Sequence, residues 1–223
     1  MENRAVIFDC DGVLVDSEVL SAAVVCEMAR ELGALLDQGR TLELIRGRKV
    51  ALWVRELGEM CGRSLDGAFV TEFRARSAAL FDERLCAVPG VEGVVSALDL
   101  PYCTASSAPL DKIDRTLGIT GLRRYFSGRI YSAYEVGIWK PDPGLFLHAA
   151  KDMGAEPKMC AVVEDSMVGV QAGVAAGMTV FAYVPEEESE KFTRVGATAF
   201  HSMDVLPTLL DEWKLGRNPT EFV

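Results

Sequence analysis

Short apolar runs separated by amphipathic stretches organise most of the chain. AVIF at 5–8, YCTAS at 102–106, RIYSA at 129–133, MCAVV at 159–163 and MTVFAY at 178–183 are rich in β-branched residues and lack strict apolar–polar alternation. Strands of that kind are covered on both faces, as in a parallel sheet flanked by helices. Helical patterns lie between the runs. Pro109 and Pro143 suit first-turn positions, Asp142 suits an N-cap, and Gly154 and Gly177 suit left-handed ends for helices over 143–153 and 167–176. Strands alternating with helices predict an α/β fold built on a doubly wound parallel sheet.

The alternation stops between Ser17 and Leu85, where helical periodicity takes over. Leu20, Ala23 and Val24 share one face, as do Val50, Trp53, Val54 and Leu57, and further on Phe69, Val70, Phe73, Leu80 and Phe81. Such stripes are the core-facing sides of about four helices. We therefore expect an α/β core at 1–16 and 86–223, interrupted by a helical cap at 17–85. An insertion directly after the first strand's loop stands over the C-terminal edge of the sheet, where α/β proteins bind ligands. The chain shows no internal repeat and no low-complexity tract, and EEESEK after Pro185 reads as a solvated loop or helix start.

A length of 223 residues accommodates a core with an insertion of that size. The formal charge of −10 argues against nucleic acid or an anionic membrane as partner. A small anionic substrate then needs a local cationic pocket or a metal. MENRAVIF lacks the charged-then-apolar pattern of a signal peptide, and no apolar run approaches a membrane span, so the expected location is the cytoplasm. Cys10, Cys26, Cys61, Cys86, Cys103 and Cys160 are scattered without a C-x-x-C pair, which fits reduced thiols. With His148 and His201 alone, a His-rich zinc site or a His-based triad is not expected.

Chemistry gathers where the strands end. Asp9 and Asp11 follow the first run, Ser106 and Ser107 close the second, Lys140 follows the third in WKPDP, and Glu164, Asp165 and Ser166 follow the fourth. In a parallel sheet these ends share one rim. A lone D-x-D or EDS carries little weight, but their order after successive strands is far more specific. Gly12 suits a tight turn beside the first pair.

FDCDGVLVDSE, TASSAP, WKPDP and VVEDSMVGVQAGVAAGM, with VPGV at 88–91, resemble the haloacid dehalogenase superfamily. The likeness is to the helical-cap branch that holds β-phosphoglucomutase and many sugar-phosphate phosphatases, closest to members of the 6-phosphogluconate phosphatase type. It spans nearly the whole chain. It implies Asp9 as the nucleophile that forms an aspartyl-phosphate and Asp11 as the acid, then base, that serves leaving group and water; positioned carboxylates suit both tasks. Asp9, Asp11, Glu164 and Asp165 around a phosphate need a cation, and an all-oxygen set points to Mg²⁺. The resemblance has Asp9 and Asp165 binding it through side chains, Asp11 through its carbonyl, and Glu164 through a water. Ser106 then donates to the phosphoryl group with help from the Ser107 amide, and Lys140 bridges nucleophile and phosphate. The superfamily's dehalogenases lack an acid at the position of Asp11, so its presence favours phosphate esters.

Substrate choice falls to the cap. Arg46, Arg48 and Lys49 flank Gly47 at the place where such proteins present a substrate-contacting loop, and Arg74 and Arg76 are weaker candidates that a helix surface accounts for. The expected function is Mg²⁺-dependent hydrolysis of a small phosphorylated sugar or sugar acid. A β-phosphoglucomutase-type mutase is the alternative, and a catalytically idle binding protein ranks below both because Asp9, Asp11 and Lys140 are all present. The partner is a small phosphorylated metabolite, for which a monomer suffices and a dimer is compatible.

Overall fold

In a computed structural model that describes residues 3–217, the apolar runs become β1 (Ala5–Phe8), β2 (Tyr102–Ser106), β3 (Ile130–Ser132), β4 (Cys160–Glu164) and β5 (Thr179–Tyr183). A further strand, β6 (Thr198–Phe200), completes a parallel sheet in the order β3-β2-β1-β4-β5-β6. Every pairing is parallel, with Val6 of β1 opposite Tyr102 on one side and Ala161 on the other. The strand order reverses direction at β1, so the crevice beyond β1 and β4 is the topological switch point of the sheet.

Four helices follow β1: α1 (Glu18–Glu31), α2 (Gln38–Ile45), α3 (Val50–Met60) and α4 (Gly67–Arg84). The sheet is then covered by α5 (Val91–Ala97), α6 (Leu110–Ile119), α7 (Ala133–Val136), α8 (Gly144–Asp152), α9 (Met167–Ala175), α10 (Ser189–Thr193) and α11 (Leu206–Lys214). Side-chain alternation along β1 splits the core. Val6 and Phe8 pack with Val91, Ile113, Leu117 and Leu209 on one face, while Ile7 packs with Leu145, Phe146 and Val170 on the other. A side chain as fully buried as Phe8 or Phe146 contributes about 1.5–3 kcal/mol. The first four helices bury a separate cluster around Val25, Met28, Trp53, Leu57 and Phe73, and so form an inserted helical cap.

Gly154 and Gly177 end their helices as expected, whereas Pro109 and Pro143 stand at the N-caps, one residue ahead of the first turns expected for them. Asp37 accepts the Arg40 N–H, Asp66 accepts those of Ala68 and Phe69, and Gly154 and Gly177 take left-handed backbones. Asp142 accepts the Gly144 N–H at 2.8 Å, one residue ahead of the helix boundary at Pro143. Two further features depart from the sequence pattern. Ala23 is exposed, and Ala22 and Val25 are buried beside Leu20 and Val24, because α1 rotates its stripe toward both cap and core. β6 was not expected, since three residues carry no periodicity and its strand state comes from pairing with β5.

All six cysteines are free. His148 meets the Tyr131 ring edge-on, and His201 Nδ1 lies 2.7 Å from the Val184 carbonyl oxygen. Among the described residues, no helix is long and apolar enough to cross a membrane.

Candidate active site

The β1–β4 pairing runs one residue past the strand, where the Asp9 N–H donates to the Val163 carbonyl at 2.9 Å. That bond fixes Asp9 beside the end of β4. The chain then turns tightly through Gly12, whose φ is 80°. A Cβ there would lie 2.2 Å from Asp165 Oδ2, so glycine is required both by conformation and by close approach. Gly169 plays a matching part in the first turn of α9: its absent Cβ would sit 1.8 Å from Glu164 Oε1.

Lys140 is the centre of the cluster. Its ammonium is buried and lies 2.5 Å from both Asp9 Oδ1 and Glu164 Oε1. The other Glu164 oxygen accepts the Asp165 N–H, the Ser166 N–H and the Ser166 hydroxyl, so protein donors satisfy the whole carboxylate. Burial raises the Asp9 carboxyl well above its ordinary value; Lys140 opposes that, while Glu164, Asp165 and Asp11 add to it. Burial raises Asp165 as well, with Glu18 and Glu164 contributing. For Lys140 burial works against the charge, yet Asp9 and Glu164 outweigh it and the ammonium is held protonated.

Asp9, Glu164 and Asp165 are all buried, with ligand oxygens within 4.8 Å of one another. Asp165 Oδ1 has no hydrogen-bond partner. An orphaned carboxylate oxygen in an all-oxygen, net-negative set fits a hard divalent cation.

Asp11 sits on the open side of Asp9. Both of its oxygens accept from Lys112 Nζ at 2.8 Å, and Ser17 Oγ donates to one of them. Burial would raise this carboxyl, but Lys112, Ser17 and Lys140 together hold it below the usual carboxylate range. Lys112, from the first turn of α6, was missed at the sequence level. Its signal was a lysine six residues past Ser106, which means nothing until α6 turns back over β1. Ser106 Oγ accepts the Ala108 N–H at 3.1 Å and keeps its proton free to donate, and Ser107 Oγ is buried without a partner.

A cavity of about 350 Å³ separates these groups from the cap. Asp9, Asp11, Ser106, Ser107 and Lys140 line its floor, and Trp53, Phe73 and Ser77 line its roof. The cap cations go to different places. Arg46 turns away from the cavity onto the core, with Nε 2.9 Å from Glu18 and 3.6 Å from Asp165. Burial, eased by Arg46, takes the Glu18 carboxyl up to about 7. Arg48 lines the cavity but is held by Glu56 in a two-pronged ion pair. Lys49 lies 3.6 Å over the Trp139 ring. Arg76 is occupied on the surface by Glu31 and Glu72, whereas Arg74 lines the cavity.

A six-stranded parallel sheet with carboxylates, a lysine and hydroxyls at one rim, under a helical cap, defines a hydrolase of one well-populated kind. The family model of haloacid dehalogenase-like hydrolases matches residues 3–177, and the chain belongs to that family. It is 35% identical over 212 residues to the 6-phosphogluconate phosphatase of Escherichia coli K12, covering 95% of each chain. It also superposes on a haloacid dehalogenase-like protein of Agrobacterium tumefaciens with a TM-score of 0.83 at 29% identity, over 95% of this chain and 99% of that one. A Thermotoga maritima structure described as a putative β-phosphoglucomutase matches with a TM-score of 0.75 at 25% identity, over 95% and 99%. Within the family, the chain is a phosphoric monoester hydrolase.

Proposed function

We propose that the chain hydrolyses the phosphate monoester of a small sugar or sugar acid, with Asp9 carrying the phosphoryl group between two steps. The observation that carries this reading is the buried Lys140 bridge between Asp9 and Glu164 at the foot of a capped cavity. A nucleophilic carboxylate must be held ionised and aimed, and a fixed ammonium does both. The relation to the E. coli 6-phosphogluconate phosphatase supports the substrate class.

In the first step an Asp9 carboxylate oxygen bonds to phosphorus as the bond to the ester oxygen breaks, and Asp11 gives that oxygen a proton. In the second, Asp11 takes a proton from water as the water attacks phosphorus, and Asp9 leaves as a carboxylate. The tie to Lys112 and Ser17 suits Asp11 to the second role. A phosphate dianion arriving beside it adds negative charge, which favours the protonated form the first role needs. Ser106 and Ser107 donate to the phosphoryl oxygens, and Lys140 keeps Asp9 in line. Asp9 and Asp165, with the Asp11 carbonyl, would hold Mg²⁺, while Glu164 orients Lys140 and the turn into α9. When bound, the cation offsets negative charge on the carboxylates and on the phosphoryl group.

The test is phosphate release from 6-phosphogluconate. We expect turnover with Mg²⁺ and a loss of roughly 100-fold or more in EDTA, restored by excess Mg²⁺. Turnover indifferent to EDTA would remove the cation from this reading, and no release from any of a panel of sugar and sugar-acid phosphates would remove the substrate class.

We take the cap as residues 17–85, moving about Ser17–Glu18 and Leu85–Pro89 to admit substrate and exclude water. Gly47 has φ 66°, and a Cβ there would lie 2.3 Å from Ser166 Oγ, so it seats the cap loop directly on the core. Gly47→Ala should lower kcat/KM by about tenfold or more by holding the cap off that seat. Gly62→Ala is the control, because Gly62 has a similar φ of 63° with nothing within 4 Å of the added carbon. Equal effects from the two would show backbone strain alone.

A mutase remains the second reading, favoured by the likeness to the Thermotoga protein. β-Glucose 1-phosphate separates them: glucose 6-phosphate as product supports the mutase, free phosphate the hydrolase.

A further inference from the structure

We propose that Arg74 and Ser77 on α4 bind the end of the substrate remote from its phosphate, Arg74 pairing with a carboxylate and Ser77 with a hydroxyl. The preferred esters are then phosphates of sugar acids rather than of neutral sugars. This rests on the phosphatase reading above and adds the substrate class to it.

Elimination among the charges of the cavity singles out Arg74. Five cations line the cavity: Arg48, Arg74, Lys112, Arg115 and Lys140. Four are committed to carboxylates, Arg48 to Glu56, Lys112 to Asp11, Arg115 to Asp82, and Lys140 to Asp9 and Glu164. Among the described residues, Arg74 alone of the five meets only a neutral group, its guanidinium donating to the Tyr134 hydroxyl at 3.2 Å. A second anion entering a chain of net charge −10, over a floor containing Asp9 and Asp11, needs a cation whose charge is not already spent. Arg74 is that cation, and its planar fork suits a carboxylate.

Ser77 supplies an independent observation. It lines the same cavity, is 4% exposed, and its hydroxyl has no hydrogen-bond partner. A buried hydroxyl left unpaired is costly, so one on a residue that lines a ligand cavity marks a group that the ligand completes. Arg74 and Ser77 are three residues apart on one helix and therefore share a face. Trp53 and Phe73, edge to face with ring centres 5.0 Å apart, supply the apolar wall against which the carbon chain lies.

The experiment compares kcat/KM for 6-phosphogluconate and glucitol 6-phosphate, which differ by a carboxylate against a hydroxymethyl group at the far carbon. Wild type should favour the acid by about 100-fold. Arg74→Gln should erase that preference by lowering the acid's kcat/KM about 100-fold, with the alcohol's changed less than about threefold. Arg74→Lys should retain part of the preference, and Tyr134→Phe should retain all of it. Ser77→Ala should lower both substrates by about tenfold, because both carry hydroxyls. Equal losses on the two esters in Arg74→Gln would overturn the proposal and assign Arg74 to a cap–core tie through Tyr134. Wild-type release from both esters without preference would overturn this inference alone. Release from neither, nor from other sugar phosphates, would overturn the functional reading with it.

Discussion

Asp9→Asn is expected to abolish phosphate release, lowering kcat by at least about 10⁴-fold, because an amide oxygen cannot form and then release the acyl phosphate. The variant should still fold. Lys140 keeps its bond to Glu164, and asparagine matches aspartate in size and shape. The measurement is single-turnover phosphate release on 6-phosphogluconate, with acid quenching to look for phosphoprotein. Wild type should trap label on the protein and Asp9→Asn should trap none. Substantial turnover with a normal melting curve would mean that water attacks phosphorus directly, and Asp9 would then keep only a charge role.

Lys140→Met should have the second largest effect, on stability as well as turnover. The ammonium has 1% side-chain exposure and stands between two carboxylates that are themselves 8% and 0% exposed. Removing one partner of a buried ion pair leaves uncompensated charge and costs about 3–5 kcal/mol. For a chain of this size that corresponds to a fall in Tm of roughly 10 °C. Turnover, assayed well below the new Tm, should drop by about 10³-fold or more, since the nucleophile loses both its aim and its counter-charge. Added Mg²⁺ should recover part of the Tm without recovering the turnover. An unchanged Tm would show that Asp9 and Glu164 share a proton in place of the lysine's charge, and that the bridge is less important to the fold than its burial implies.

The strand-end residues were legible in the sequence because the signal for each is local. A short β-branched run announces a strand, and the residue after it must stand at that strand's C-terminal end. Parallel order then brings Asp9, Ser106 and Glu164 to one rim, whereas Lys140, eight residues beyond β3 and past α7, reaches it only through the fold of the loop that carries it. The cap was legible as helices for the same reason, with the stripe through Trp53, Val54 and Leu57 buried as its spacing required. Ala23 failed because α1 packs in two directions, so a single stripe does not describe it.

The cations of the cap were a different matter. Arg46, Arg48, Lys49 and Arg74 are the same kind of residue in the same kind of place, and nothing in their spacing ranks them. Their roles depend on which acid each one meets. Glu18 and Asp165 take Arg46 only because the cap loop lands on the core at Gly47, and Tyr134 reaches Arg74 only because α7 lies opposite α4. Lys112 likewise acquires its meaning from the fold of α6 over Asp11.

What the sequence determined by itself was therefore the sheet, the inserted cap and the polar residues that stand at the strand ends, all of which follow from short-range pattern and strand order. Only the tertiary structure decided which charges are spent and which are free. Charge pairing acts over a few ångströms between segments distant along the chain, and no periodicity records it.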